Sequence, residues 1–527
     1  MGGGAERLAG IGITGPFCAC DLLGSPMCSL VWVRCRDQLL GADLLQKHRL
    51  VIATIMHLDE STAEGQHMSD FLRQFSHLTH IVLLVFLGLS CCVVCYPCLV
   101  LANEQEVSHN ASSTYEIELS VTGKLKFPVG SDLRSESLEI VTQPVHAHSN
   151  LIYRQKVNPD ESKLEPTALR HYEHAVAKVV IGGDCVNTKL PRGVTDIHVC
   201  RHEKGLEFWF REGFLTQPEA DLLTVAFDPL YLRALVPPSD QACGMQWELN
   251  QAVIADLLCI DTIHSGGLKA TIKGCADEGT TVQIQGNIKG AVNGAATSIT
   301  VEGDYDWTTE DNAAGSVSML HIVIKESRDV SYMAPGIDID AVIEMSRRAQ
   351  KKLRPRVVAA SSGGMAKDGR SRRGPGKPGF RWTCDPYDRY DVVYENNWKI
   401  IEEGSEYLMM RFVDQGALVG QVTLTPLPLQ SKVLTLSDFE NDIEQTLGEQ
   451  FGHLVSASTF SRDDGTTIMR VASVGESEDL PFHWIHYHLR SIEGRRLSLA
   501  FVVESRHLVR FSEADRRYIE GVDLAPE

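Results

Sequence analysis

The chain of 527 residues carries no Gly-x-Ser-x-Gly elbow, no His-Glu-x-x-His pair and no Walker phosphate loop. The spacings that present a serine nucleophile, a zinc-dependent base or a phosphate cradle are therefore absent. Positive charge is scarce as well: 50 Lys and Arg face 69 Asp and Glu, a net charge of −19. Such a balance argues against nucleic acid as a partner of the folded surface and mainly favours solubility. Compositional extremes are missing too. With 43% hydrophobic and 23% charged residues, the chain is ordinary for globular protein, and disorder is not expected outside one linker. No motif implies a cofactor.

What is present is one apolar run, Ile81 to Leu101, which follows an internal methionine, Met68, and closes on Val100-Leu101-Ala102. Read from Met68, the layout is that of a secretory signal peptide: a polar start with Arg73, an apolar stretch, and small residues around a cut after Ala102. On that reading residues 1–67 are a doubtful extension. The alternative is a spanning helix, since about 21 residues rising about 1.5 Å each cross roughly 30 Å of bilayer core. Cys91, Cys92, Cys95 and Cys98 lie inside the run, where no folded shell could hold them as metal ligands. A lipid-anchoring cysteine is not supported either, because Gly88-Leu89-Ser90-Cys91 lacks the leucine wanted three residues earlier.

Six cysteines follow: Cys185, Cys200, Cys243, Cys259, Cys275 and Cys384. An even count in an exported chain permits disulfides, with Cys185 and Cys200 able to close a hairpin; buried free thiols are the other reading.

From residue 103 to 345 period-two alternation dominates, as in Tyr115 to Val121, Leu206 to Phe210, Thr281 to Gln285 and Ile299 to Tyr305. These are half-buried strands separated by turn signals, and they predict an antiparallel meander. Short helices interrupt it at Gln217 to Ala226 after a Thr216 cap, at Pro229 to Leu235, and at Gln251 to Leu258 after an Asn250 cap. Gly286, Gly290 and Gly294 read as tight turns. Residues 346–379 hold eleven Lys or Arg against one Asp and read as a basic flexible linker. This linker can lie against its own acidic neighbours or meet an anionic envelope surface.

Residues 380–527 mix both kinds of element. Strands are expected at Tyr390 to Tyr394, Tyr407 to Val413, Leu418 to Leu427, Ser456 to Ser461, Thr467 to Ser473, Phe482 to Arg490 and Arg496 to Glu504. A helix capped by Ser437 runs from Asp438 to Phe451, with Phe439, Ile443 and Leu447 on one face, and a last helix starts at Ser512. The element order, with Asn397-Trp398-Lys399, Gly420-Gln-Val-Thr-Leu-Thr-Pro426 and Leu436-Ser-Asp-Phe439, resembles the PsbP/DcrB-like fold of exported proteins. That resemblance implies a curved antiparallel sheet with covering helices, used as a partner-binding module. The 103–345 sheet is similar in architecture, without a shared motif, to LolA- and LppX-type lipoprotein carriers. The expected fold class is thus α+β: a large antiparallel β-rich domain, then a smaller antiparallel sheet with covering helices.

The candidate site residues are few. On a strand, His486 and His488 of His483-Trp-Ile-His486-Tyr-His488 share a face and could share a metal, with a third ligand supplied from elsewhere; His483 points the other way. His171 with His174, and His146 with His148, read as edge polar residues. Asp338-Ile-Asp340 with Glu344 lacks the glycine and spacing of a calcium loop and reads as an exposed strand face. Phe208, Phe210, Leu222, Leu223 and Phe227 would line an apolar ligand site in the first domain, or simply form its core. The resulting expectation is an exported or membrane-anchored envelope protein that binds a protein or an apolar ligand without catalysis. Its rivals are an exported metal-dependent enzyme using His486 and His488, and a membrane-tethered scaffold.

Overall fold

A computed structural model describes residues 112–128, 140–157, 168–202, 205–237, 242–276, 279–292, 295–308, 315–331, 334–349, 374–414, 417–429, 433–477 and 479–525. The apolar run Ile81 to Leu101, the cut after Ala102, and residues 350–373 of the basic linker lie outside them. Among the described residues, no helix is long and apolar enough to cross a membrane.

The first part of the chain is one sheet of twelve antiparallel strands. Strand β1 (Ser112–Pro128) pairs on one side with β2 (Ile140–Val157) and on the other with β12 (Gly336–Ala349), so the first and last strands of the sheet lie side by side in its middle. From β2 the sheet continues through β3 (Ala168–Ile181), with β4 (Asp184–Lys189) paired to it, to β5 (Asp196–His202) and β6 (Gly205–Phe210). From β12 it runs through β11 (Ser316–Arg328), β10 (Ala295–Thr308), β9 (Gly279–Val292) and β8 (Thr262–Ala276) to β7 (Gln246–Glu248). Alternation decides the faces. Tyr115, Ile117, Leu119 and Val121 are buried while Glu116 and Glu118 between them are not, which is the signature of a sheet with one wet face.

Helices cover the apolar face. Helix α1 (Gln217–Leu223) is fixed at its start by a capping box in which the Thr216 hydroxyl accepts from the Glu219 amide and the Glu219 carboxylate accepts from the Thr216 amide, satisfying two donors that a helix start leaves open. A 3₁₀ turn at Leu232–Leu235 follows, then α2 (Gln251–Leu258), capped by Asn250 as expected. The 3₁₀ turn is tied to the sheet by the Tyr305 hydroxyl, which donates to the Leu235 carbonyl at 2.7 Å.

The glycines of β9 correct the sequence reading. Gly286 and Gly290 stand inside the strand, not in turns; Gly294 lies outside the described residues. A Cβ at Gly286 would fall 2.0 Å from the Gly267 carbonyl oxygen on β8, so close approach of two backbones requires glycine there.

The second part holds two sheets. A three-stranded one has the order β13 (Phe380–Cys384), β14 (Tyr390–Glu395), β22 (Val522–Leu524). A seven-stranded one runs β15 (Trp398–Glu403), β16 (Leu408–Asp414), β17 (Ala417–Leu427), β21 (Arg496–Glu504), β20 (Leu480–Arg490), β19 (Thr467–Ser477), β18 (Phe451–Ser461). One face of the larger sheet meets the small sheet together with α4 (Leu508–Phe511) and α5 (Ala514–Glu520), burying Trp398, Phe412, Phe501, Phe511 and Tyr518 in one aromatic cluster. The opposite face meets α3 (Leu436–Leu447) through Phe439, Ile443 and Leu447. The cap of α3 is Thr435, paired reciprocally with Asp438, where the sequence suggested Ser437.

The α+β expectation is overturned. Of the described residues 64% are in strands and 14% in helices, so the molecule is mostly β, dominated by the twelve-stranded antiparallel sheet, and the second part is not a clear PsbP-like α+β fold. The reason is physical. Strands of up to 18 residues outweigh helices of at most 12, and much of the cover expected from helices is supplied by the small sheet. Strand β12 also runs on to Ala349, through residues read as the start of the linker.

Candidate binding face of the second sheet

The residues expected to line an apolar site in the first sheet all lie in its filled core. Phe208 and Phe210 on β6, Leu222 and Leu223 on α1, and Phe227 just after α1 are buried in one apolar cluster with the inward residues of the sheet. Phe227 adopts a left-handed backbone, φ 56°, held by its amide donating to the Leu257 carbonyl at 2.6 Å. The next residue, Asp228, anchors a pair whose members lie far apart along the chain. Its carboxylate accepts from both terminal nitrogens of Arg170 at 2.8 and 2.5 Å, while Arg170 Nε donates to Gln155 Oε1 at 2.8 Å. The guanidinium lies 4.7 Å from the centre of the Tyr153 ring and 5.6 Å from that of Phe208. A bidentate, fully buried pair of this kind is compensated. It pins the helical layer to β3.

Helix α1 also faces the second part. Gln217 Oε1 accepts from the Ile400 amide at 3.2 Å, the Leu215 carbonyl accepts from the Trp382 amide at 3.1 Å, and Glu207 Oε1 accepts from Asn396 Nδ2 at 2.9 Å. Asp221 is buried at this junction, and burial pushes its carboxyl up to about 7 against the pull of Lys399 and Arg381.

The two candidate metal residues sit on β20. Phe482, Trp484, His486 and His488 share the α3 face, whereas Ile485, Tyr487 and Leu489 join the opposite core, as a period of two requires. His488 is 3% exposed and meets the edge of Phe439 with ring centres 5.9 Å apart. Burial, followed by the neighbouring charge of Arg496, pushes its imidazole down to about 4. It is therefore neutral near pH 7, with one N–H and one bare nitrogen. Among the described residues, no group of three or more His, Cys, Asp or Glu is placed to hold a metal, so the third ligand required by the metal reading is not supplied there.

The other histidine and acidic sets are cross-strand surface pairs. His171 Nδ1 lies 2.7 Å from Asp196, His148 Nδ1 lies 3.2 Å from Ser120 Oγ, and Asp338 accepts from Lys126 at 2.7 Å and from Ser327 at 2.6 Å. The six described cysteines are free thiols, of which Cys200 is buried.

The register across five strands makes the α3 face unusual. Arg411 on β16 stands opposite Gln421 on β17, Gln421 opposite Val502 on β21, Val502 opposite Trp484 on β20, and Trp484 opposite Ser473 on β19. Directly opposed residues share a face, with Cβ atoms about 5 Å apart, so these five form one row on the face that carries α3. Arg411 Nε donates to Gln421 Oε1 at 3.1 Å, which turns the amide nitrogen of Gln421 away from that bond. That nitrogen, Ser473 Oγ and Trp484 Nε1 are buried without a hydrogen-bond partner, and neither ring nitrogen of His488 has a side-chain partner. Each such group costs about 1–3 kcal/mol while it stays unpaired. Sequence alone signals only His486 and His488, through their i, i+2 spacing. Gln421, Ser473 and Trp484 become neighbours only once the register is known.

No family model matches the chain, and no curated protein matches it. Among solved structures, the chain is similar to the cyanobacterial PsbP (CyanoP) of Synechocystis sp. PCC 6803 at 14% identity, over 28% of this chain and 92% of that one, with a TM-score of 0.24. It is similar to OccK5 (OpdH) of Pseudomonas aeruginosa at 7% identity, over 75% of this chain and 97% of that one, with a TM-score of 0.12. At these scores neither likeness carries an argument about fold or function.

Proposed function

We propose that this chain is an exported binding protein, non-catalytic, whose second sheet holds a small acceptor-bearing molecule, such as a carboxylate, on the face beneath α3. The observation that carries the reading is the set of buried, unpaired groups on that face: the Gln421 amide nitrogen, Ser473 Oγ and Trp484 Nε1. Buried polar groups in folded proteins are almost always satisfied, and unsatisfied ones gathered in one place call for a partner. Donors predominate here. An indole N–H and an amide NH₂ can only donate, and a hydroxyl can do so. The complementary ligand therefore presents oxygen acceptors. Export is supported by the run Ile81 to Leu101 ending on Ala102, and the acidic surface suits a soluble envelope protein. On this reading the basic residues 350–373 join the two folded parts.

The test is thermal unfolding of the purified chain with formate, acetate, succinate, benzoate and inorganic phosphate. At least one carboxylate is expected to raise the midpoint in a concentration-dependent way, and Trp484→Phe with Ser473→Ala is expected to abolish the rise while the variant still unfolds cooperatively. If none of the probes raises the midpoint, or the double variant responds as the parent does, the binding reading fails.

A further inference from the structure

Like charges are set against each other at the base of the β20–β21 hairpin. On the face that carries α3, Thr467 of β19 stands opposite Arg490 of β20, and Arg490 opposite Arg496 of β21. One step inward, Met469 stands opposite His488, His488 opposite Ser498, and Ser498 opposite Thr425 of β17. Arg490 lies six positions beyond Trp484 on β20, about 20 Å along an extended strand, so these rows are separate from the Gln421, Ser473 and Trp484 group. Two arginines directly opposed across a strand pair repel and destabilise the sheet. A chain of net charge −19 has carboxylates in plenty, yet none stands between them in the register.

The basic groups here are held to different degrees. Arg496 is anchored: its Nε donates to the Pro428 carbonyl at 2.9 Å, and its Nη2 donates to the same oxygen. Arg490 is half-buried, and its Nε is buried without a hydrogen-bond partner. His488 is 3% exposed, and neither of its ring nitrogens meets a side-chain partner. Burial, then the charge of Arg496 and that of Arg490, disfavours a proton on this ring, and no described carboxylate acts on it. The acids of the adjoining segments are engaged elsewhere: Asp438 in the first turn of α3 accepts from the Thr435 amide, and Glu493 in the hairpin turn is bonded to backbone and to Ser491. The result is a cationic, donor-rich surface of two guanidiniums, one imidazole N–H and the hydroxyls of Thr467, Ser498 and Thr425. A carboxylate occupies one guanidinium fork, whereas a phosphate group, with about −1.5 to −2 charge and three acceptor oxygens, can face both arginines and the imidazole at once. We propose that Arg490, Arg496 and His488 form an anion site for a phosphate group, either free or at the head of a lipid. An anion seated there offsets the repulsion that the register imposes.

Calorimetric titration of the purified chain with inorganic phosphate, at constant ionic strength near pH 7, tests this. The expected result is saturable binding, weakened about tenfold or more by Arg490→Gln and less by Arg490→Lys, which keeps the charge but loses the fork. Arg495→Gln is the control, since that side chain reaches the Asp388 carbonyl instead, and it is expected to bind phosphate as the parent does. Because Arg490→Gln removes a repelling charge, its unfolding midpoint without phosphate should equal or exceed that of the parent; a merely structural arginine would lower it. The carboxylate response should persist in Arg490→Gln, so the two sites stand or fail separately. Flotation with vesicles of phosphatidic acid in phosphatidylcholine distinguishes the sources: capture of the parent but not of Arg490→Gln assigns a lipid head, and phosphate binding without capture assigns a free anion. Three outcomes overturn the proposal: no saturable binding of phosphate up to about 10 mM, an Arg490→Gln variant that binds as the parent does, or an Arg495→Gln variant that is weakened as much.

Discussion

The two faces of the seven-stranded sheet differ in how the polar groups at their centres are paired. On the face covered by α4, α5 and the small sheet, Tyr487 Oη donates to Asp515 Oδ2 at 2.7 Å, and Arg470 reaches the same carboxylate through Nε at 3.1 Å and Nη2 at 3.0 Å. These three groups satisfy one another among large apolar side chains, while the Tyr394 hydroxyl of the same core has no hydrogen-bond partner. On the face beneath α3, Gln421, Ser473 and Trp484 bring buried polar atoms that meet no partner. A paired network serves stability, whereas unpaired buried groups are the ground on which we propose a bound molecule on the α3 face. The first sheet shows both habits: Arg170–Asp228 and Arg328–Glu326 pair its buried charges, while the Tyr153 hydroxyl and Trp209 Nε1 have no hydrogen-bond partner.

The strongest way to break this comparison is Asp515→Ala. It leaves the Arg470 guanidinium and the Tyr487 hydroxyl without their acceptor, and is expected to lower unfolding stability by about 3 kcal/mol or more. On the other face Trp484→Phe removes a donor that has no partner; the relief of about 1–3 kcal/mol is opposed by lost packing of a buried ring, so the net loss is expected to be far smaller than for Asp515→Ala when no ligand is added. Denaturant titration of both variants measures the contrast, and equal losses would erase the distinction between the faces.

A second prediction uses protons. His488 titrates near 4 in the folded chain, below its ordinary 6.5, because burial disfavours the charged ring. Between those values the unfolded chain binds more protons, so this residue stabilises the fold fully above about 6.5 and loses that contribution as pH falls towards 4. His488→Leu is expected to flatten the pH dependence of the unfolding midpoint in that window. A parent and variant with parallel profiles from pH 7 to pH 4 would place the ring in water.

The smallest effect concerns the helix over the open face. Thr435→Ala removes the cap of α3 and is expected to cost about 1 kcal/mol, detectable as a lower midpoint; Ser437→Ala, which removes no cap, should leave it unchanged.

Local features were legible from the sequence where local chemistry decides them. Thr216 and Asn250 announced their helices, and the i, i+2 spacing of His486 and His488 placed them on one face. Ser437 misled because Thr435 offers the same hydroxyl two residues earlier, with Asp438 at the right distance to complete the box. The short strands β13, β15 and β22 carry too few residues for alternation to show. Pairing of β1 with β12 joins residues more than two hundred positions apart, and nothing local encodes it. The same holds for the Arg411–Gln421–Val502–Trp484–Ser473 row and for Arg170–Asp228: each member is unremarkable in its own segment, and only tertiary register makes it a neighbour.

Whether the α3 face binds a small carboxylate is tested most directly by a high-resolution crystal structure of the protein purified with the carboxylate that most raises its midpoint. That molecule is expected on the α3 face, with oxygen atoms within hydrogen-bonding distance of Trp484 Nε1 and the Gln421 amide nitrogen. Density for water alone, or side chains turned to satisfy one another within the protein, would contradict it.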